Sequence, residues 1–240
     1  MEHLLDLPKE LILVIVGYLE PIDLMNTAVA CQLLCTICML KINWSTFTLC
    51  DECYSSDVLH LMHENCKNII NFEVNCPRGL GTTQQETLLN NLTLQMNRVL
   101  HCSLYFETLV DLSFIRNFGE LRFLTTMGTE FVPTDFFIGV VSSLVKLRKL
   151  NLAGNAHLTE DIVYLMVKRM SNLRSLDVSD CQEFKPQTVR LILLSHRKLR
   201  FFDCTPIFPV RRNNLSMWIN LDHLSTVKFG PGISELLEQS

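Results

Sequence analysis

The sequence predicts an α/β chain in which a short, wholly apolar helical module leads into a solenoid of about eight strand-and-helix repeats. Two observations predict it. The spacing apolar-x-x-apolar-x-apolar recurs in register, with LRFLTT, LRKLNL, LRSLDV and LRFFDC starting at Leu121, Leu147, Leu173 and Leu199, each 26 residues after the last. Ahead of that series, LPKELILVIVGYL (7–19) puts apolar side chains on every side of a helix.

The opening stretch comes first. At 100° per residue Leu11, Val14, Ile15, Tyr18 and Leu19 share one broad face, while Ile12, Leu13 and Val16 continue around the back. Such a helix lies in a membrane, in a large core, or between its own domain and a second protein. A membrane span needs about 20 apolar residues, and this run is closed by Pro8 and Glu10 on one side and Glu20-Pro21 on the other. The chain begins Met1-Glu2-His3 and carries Asp6 before the run, which lacks the basic opening and small-residue cleavage site of a secretory signal. An intracellular protein, cytoplasmic or nuclear, is expected.

Composition agrees with a globular chain: 48% hydrophobic and 19% charged residues over 240 positions suffice for a sizeable core. A formal net charge of −4, spread along the chain, gives no footprint for nucleic acid or an anionic membrane. Several of the 10 cysteines fall in apolar helical or strand-like segments, so reduced, buried thiols are expected rather than disulfides.

Weaker copies extend the repeat series in both directions: WSTFTL from Trp44, IINFEV from Ile69, VLHCSL from Val99 and LSTVKF from Leu224. Each unit begins as a strand and then turns helical. After NLAGNAHL, Thr159 is expected to cap a helix whose apolar face is Ile162, Leu165, Met166 and Met170. In the next unit Pro186 suits a first helical turn, and Val189, Ile192 and Leu193 supply the apolar face. Neither element can bury its apolar side alone, so stacked copies share one continuous core. Asn155 and Cys181 occupy the ninth position of their units, where a buried side chain satisfies loop backbone groups that the turn leaves unpaired. The stretch resembles the cysteine-containing class of leucine-rich repeats, best seen in LRSLDVSDCQEF. That resemblance implies a right-handed αβ solenoid with parallel strands on its concave face.

Residues 7–44 read LPKELILVIVGYLEPIDLMNTAVACQLLCTICMLKINW, and this stretch resembles an F-box. Leu7-Pro8 and Glu10-Leu11 open it, Ile15 and Leu19 carry the first helix, Pro21 with Asp23-Leu24 turns into the second, and Cys31 and Trp44 fall where the family has a cysteine and a closing tryptophan. Asp23 is expected as the N-cap of the second helix. The resemblance implies a three-helix module that docks on a Skp-family adaptor and, through it, on a cullin. Leu7, Pro8, Leu11, Ile15, Leu19 and Leu24 match motif positions that serve adaptor contact or the module's own packing, and sequence alone does not divide them. A helical cap that merely seals the end of the repeat stack is the alternative. The expected domains are 1–44 (F-box), 45–229 (repeats) and 230–240 (tail or cap).

Other constellations carry less. Cys50, Cys53, Cys66 and Cys76 invite a zinc reading, but the second half lacks a close pair, so no metal or other cofactor is expected. Cys31, Cys35 and Cys38 have the spacing of core residues on a helix. Arg122, Arg148, Arg174 and Arg200 each take the second place of their unit and so stack as a ladder. It reads first as a solvated row partly neutralised by Asp177 and Asp203, and second as a site for an acidic or phosphorylated partner. No phosphate loop, paired-histidine metal motif or nucleophile elbow is present, so the chain is not expected to be an enzyme.

The resemblance implies that the repeat arc, through the outward strand positions and the loops above them, receives a protein to be ubiquitinated by an SCF-type ligase. The candidate contacts are Glu73, Asn151, Asp177 and Asp203 in one column, with Phe123, Lys149 and Phe201 beside it, and the segment TPIFPVRRNNLSMW from Thr205 as a binding rim. A repeat scaffold without a ubiquitin role is the alternative function.

Overall fold

The computed structural model describes residues 4–19, 21–28, 30–38, 44–50, 63, 65–76, 83–106, 113–127, 139, 143–155, 158–181, 186–205 and 226–228. The zinc-reading positions Cys50, Cys53 and Cys76, the rim segment beyond Thr205 and the tail lie wholly or in their side chains outside them.

Every expected repeat start is followed, two residues on, by a strand: β1 (Thr46–Cys50), β2 (Asn71–Cys76), β3 (His101–Phe106), β4 (Phe123–Met127), β5 (Lys149–Asn151), β6 (Ser175–Asp177), β7 (Phe201–Asp203) and β8 (Thr226–Lys228). They form one open sheet in sequential order, every pair parallel. Parallel neighbours in sequential order need a crossover between them. The helices α4 (Thr83–Thr93), α5 (Glu160–Arg169) and α6 (Pro186–Ser195) belong to these crossovers.

Register turns the repeat into a core. Phe47, Phe72, Cys102, Leu124, Leu150, Leu176 and Phe202 pair across adjacent strands and are all buried. The first leucine of each unit fills the seam between layers: Leu121, Leu147, Leu173 and Leu199 are buried alongside it. From the crossover side come Leu89 and Leu92, then Ile162, Val163, Met166 and Val167, then Val189, Ile192 and Leu193. Leu165 is a correction: it is exposed, because the buried stripe of α5 is centred between Ile162 and Val167 and Leu165 falls well to one side of it. Thr159 does hold the N-cap position, in extended backbone, without a side-chain cap bond.

The seams between repeats are closed by the ninth-position side chains, as expected. Asn155 is buried and its Nδ2 donates to the carbonyls of Leu152 in its own turn and Thr126 in the preceding repeat, the latter at 3.0 Å. Cys181 donates through Sγ to the Leu152 carbonyl at 3.2 Å. The turn between strand and ninth position takes a left-handed residue, Gly154 in one repeat (φ 73°) and Asp180 in the next (φ 55°).

The N-terminal module has its own core. Helices α1 (Lys9–Val16), α2 (Pro21–Ala28) and α3 (Gln32–Cys38) bury Ile12, Val16, Leu24, Ala28, Leu34, Ile37 and Cys38 together. Asp23 does not cap α2. Pro21 already occupies the first turn, where its fixed φ suits the helix, and Asp23 follows inside that turn, where the helix dipole favours an acid. Trp44 joins the two cores: its ring is buried with the repeats, and its indole N–H donates to the carbonyl of Cys38 at the end of α3.

Candidate functional site: an apolar helix face and an open strand face

Helix α1 is apolar all round because it has two apolar faces. Ile12 and Val16, one turn apart, form the face packed on α2 and α3, and Leu13 and Leu19 flank it half-buried. The other face looks outward: Leu11 is 50% exposed and Val14 56%, with Ile15 beside them and Tyr18, just past the helix, 85% exposed. Leu11, Val14, Ile15 and Tyr18 are spaced i, i+3, i+4 and i+7, which makes one continuous stripe. Leu4, Leu7 and Pro8 extend it before the helix. A contiguous apolar patch of this kind on a small domain marks a surface that another molecule covers.

The six motif residues therefore separate. Leu7, Pro8, Leu11 and Ile15 are exposed, Leu19 is intermediate, and Leu24 lies in the module's core beneath them. Sequence reasoning placed Val14 and Tyr18 on the same face as Leu11 but not among the contact residues; the signal was the helical period itself.

Residues 4–46 match the family model for the F-box domain. This segment is an F-box. An F-box implies binding to a Skp-type adaptor of an SCF ubiquitin ligase, and proteins that carry one are in general non-catalytic receptors. No match to the sequence was found among curated proteins. Among solved structures the chain is similar to the TLR13–ssRNA13 complex, with 14% identity, 83% of this chain and 30% of that chain covered, and a TM-score of 0.51. An internalin of Listeria monocytogenes aligns at 10% identity over 71% of this chain and 56% of its own, with a TM-score of 0.37. The chain thus spans well under two thirds of the length of either. At such identity the first likeness bears on fold alone, and it agrees with a leucine-rich-repeat sheet behind the F-box.

That sheet presents two columns on its open face. Thr46, Asn71, His101, Phe123, Lys149, Ser175 and Phe201 are in register in one, and Thr48, Glu73, Ser103, Thr125, Asn151, Asp177 and Asp203 in the other. All seven sequence-derived candidates lie in these columns. Their availability differs. Glu73 and Lys149 are exposed, whereas Asn151 and Asp177 are half-buried and Asp203 is buried. The last three brace the turn after their own strands: Asn151 Oδ1 accepts from Ala153 N at 2.9 Å, Asp177 Oδ1 from Ser179 N at 3.0 Å, and Asp203 Oδ1 from Thr205 N at 3.3 Å. These are short side-chain-to-backbone loops that fix a turn.

Phe123 has neighbours that the sequence reading did not give it. The His101 ring stacks on it at 4.2 Å between centroids, and Lys149 Nζ stands 5.2 Å from the ring centre on the other side. The ladder of one column thus partly covers its own aromatic, and a cation over a ring face is attractive in itself.

Among the described residues no group of three or more histidine, cysteine or acidic side chains is arranged to hold a metal ion. Cys31, Cys35, Cys38, Cys66, Cys102, Cys181 and Cys204 are free thiols. Burial pushes the Cys38 thiol up to about 11, with Cys35 and Cys31 adding to it, and burial likewise pushes Cys181 up to about 11. Thiols held so far above neutral pH are poor nucleophiles. No described helix is long and apolar enough to cross a membrane.

Proposed function

We propose that the chain is the substrate-recognition subunit of an SCF ubiquitin ligase: residues 1–44 dock on the Skp adaptor and through it on a cullin, residues 45–229 hold the protein to be ubiquitinated, and residues 230–240 are a tail or cap. The observation that carries this reading is the exposed stripe Leu11, Val14, Ile15 and Tyr18 inside an F-box. Leu7, Pro8 and Leu19 extend the docking surface, and Leu24 supports it from below. The mechanism is proximity: the subunit does no chemistry and raises the effective concentration of a target lysine near a charged conjugating enzyme. Target contacts fall to Glu73, Phe123, Lys149 and Phe201 on the open face, with Asn151, Asp177 and Asp203 shaping the turns at its edge. The site of action is then wherever the ligase works, cytoplasm or nucleus. The repeats read as the cysteine-containing class, which the Cys181 bond to the preceding turn supports.

The test is co-elution of the purified chain with a Skp adaptor, beside a variant carrying Leu11→Asp and Ile15→Asp. Because both side chains face outward, the variant retains its helical and thermal signature. A complex with the native chain that the variant loses is the expected result. A folded native chain that forms no complex would make the protein a repeat scaffold with a helical cap.

A further inference from the structure

Arg122, Lys146, Arg148, Asn172, Arg174 and Lys198 line one open concavity of about 230 Å³ at the end of the strands where each repeat begins. The three arginines come from successive repeats and are tied together by their backbones: Arg148 N donates to Arg122 O at 2.9 Å and Arg174 N to Arg148 O at 2.8 Å. Their backbones therefore rise at the strand separation of about 4.8 Å, and all three side chains line the one concavity. A second ladder stands two residues earlier in each unit, where Lys198 Nζ donates to Asn172 Oδ1 at 3.2 Å and Asn172 Nδ2 donates to the Val145 carbonyl at 2.9 Å.

The charges are poorly matched by the protein. Lys146 pairs with Glu120. Among the described residues no carboxylate lies within ion-pairing distance of Arg122, Arg148, Arg174 or Lys198. Asp177, expected from sequence to offset the row, turns its Oδ1 to the backbone and hydroxyl of Ser179 instead. Like charges gathered in one concavity repel, and a compact dianion would relieve the repulsion while giving several forked donors one acceptor group.

We propose that this concavity binds a phosphate monoester, carried as phosphoserine or phosphothreonine on a partner protein. Three forked guanidiniums and an ammonium suit the three terminal oxygens and double charge of a phosphorylated side chain better than a single carboxylate. A long polyanion is disfavoured, since the chain as a whole carries a net charge of −4 and its field repels one outside the pocket. Arg148 is followed directly by Lys149, whose ammonium faces Phe123 on the open strand face. The identity of the phosphoprotein as a ligase target rests on the receptor reading; the phosphate site does not.

The experiment uses the purified full chain and three fluorescent probes: a peptide pool with a central phosphoserine and random flanks, the same pool unphosphorylated, and a short single-stranded RNA. Anisotropy at moderate salt is expected to show the phosphorylated pool bound at least about tenfold more tightly than its twin, and more tightly than the RNA. Arg148→Gln with Arg174→Gln, both at exposed positions, is expected to abolish that preference while leaving the melting curve in place. Equal binding of the two pools, tighter binding of the RNA, or an unchanged preference in the double variant would overturn the proposal. Adaptor co-elution on the same preparations separates the two readings. Loss of phosphate discrimination with adaptor binding intact counts against this site alone, and the reverse counts against the ligase role alone.

Discussion

His196 sits in the turn after α6, 6% exposed, and its Nε2 has no hydrogen-bond partner among the described residues. Burial pushes the imidazole below its ordinary 6.5, Lys198 adds to the effect, and the nearby backbone of Leu173 and Met170 opposes it. A histidine with a lowered folded pKa is neutral in the fold, so its share of stability is complete above 6.5 and is lost as pH falls below 6.5 towards the folded value. Urea unfolding across that range should show the native chain losing more stability on acidification than a His196→Gln variant; parallel curves would contradict it. Thr126 is a different case. It is fully buried with Oγ1 unpartnered among the described residues, at a position that the neighbouring repeats fill with Leu104 and Leu152. Thr126→Val keeps the shape and removes the stranded hydroxyl, and should raise the unfolding free energy by about 1 kcal/mol. The repeat spacing counted LRFLTT as a regular copy and so missed that misfit. It also missed the turn-bracing roles of Asp177 and Asp203, because residue type shows that a carboxylate faces outward but not which backbone amide it will meet.

At the scale of the element, α1 shows how a helix can be hydrophobic without being interior. Its inward face is structural and its outward face is not, so neighbouring substitutions should behave oppositely. Ile12→Ala opens a cavity in the small core of the F-box and should cost about 2–4 kcal/mol. Leu11→Ala should cost under about 1 kcal/mol, because the side chain is half-exposed already. Thermal melts of the two variants check the difference, and adaptor binding should be weakened by both for unlike reasons. Periodicity alone identified the helix and its lack of a polar stripe. It could not say which half faced inward, since that depends on where α2 and α3 pack. The same limit explains Leu165: the sequence gives the period of α5, and the neighbouring repeat sets its rotation.

Across the whole molecule the strands were the legible part. Each follows a leucine or other apolar residue that begins its repeat, and the sheet order follows from stacking consecutive units. What joins the two parts was harder to read. Trp44 matched the end of the F-box motif, yet its ring is buried in the repeat core while its N–H holds the end of α3. The F-box is thus anchored on the first strand, with its apolar stripe turned outward and the open strand face left for another partner. The central claim is that this stripe, and no part of the sheet, meets the adaptor. Hydrogen exchange of the full chain with and without a Skp adaptor tests it most directly. Protection confined to the F-box segment, strongest over residues 9–19, with β2 to β7 unchanged, is the result the account predicts; protection on the strands with α1 exchanging as before would contradict it.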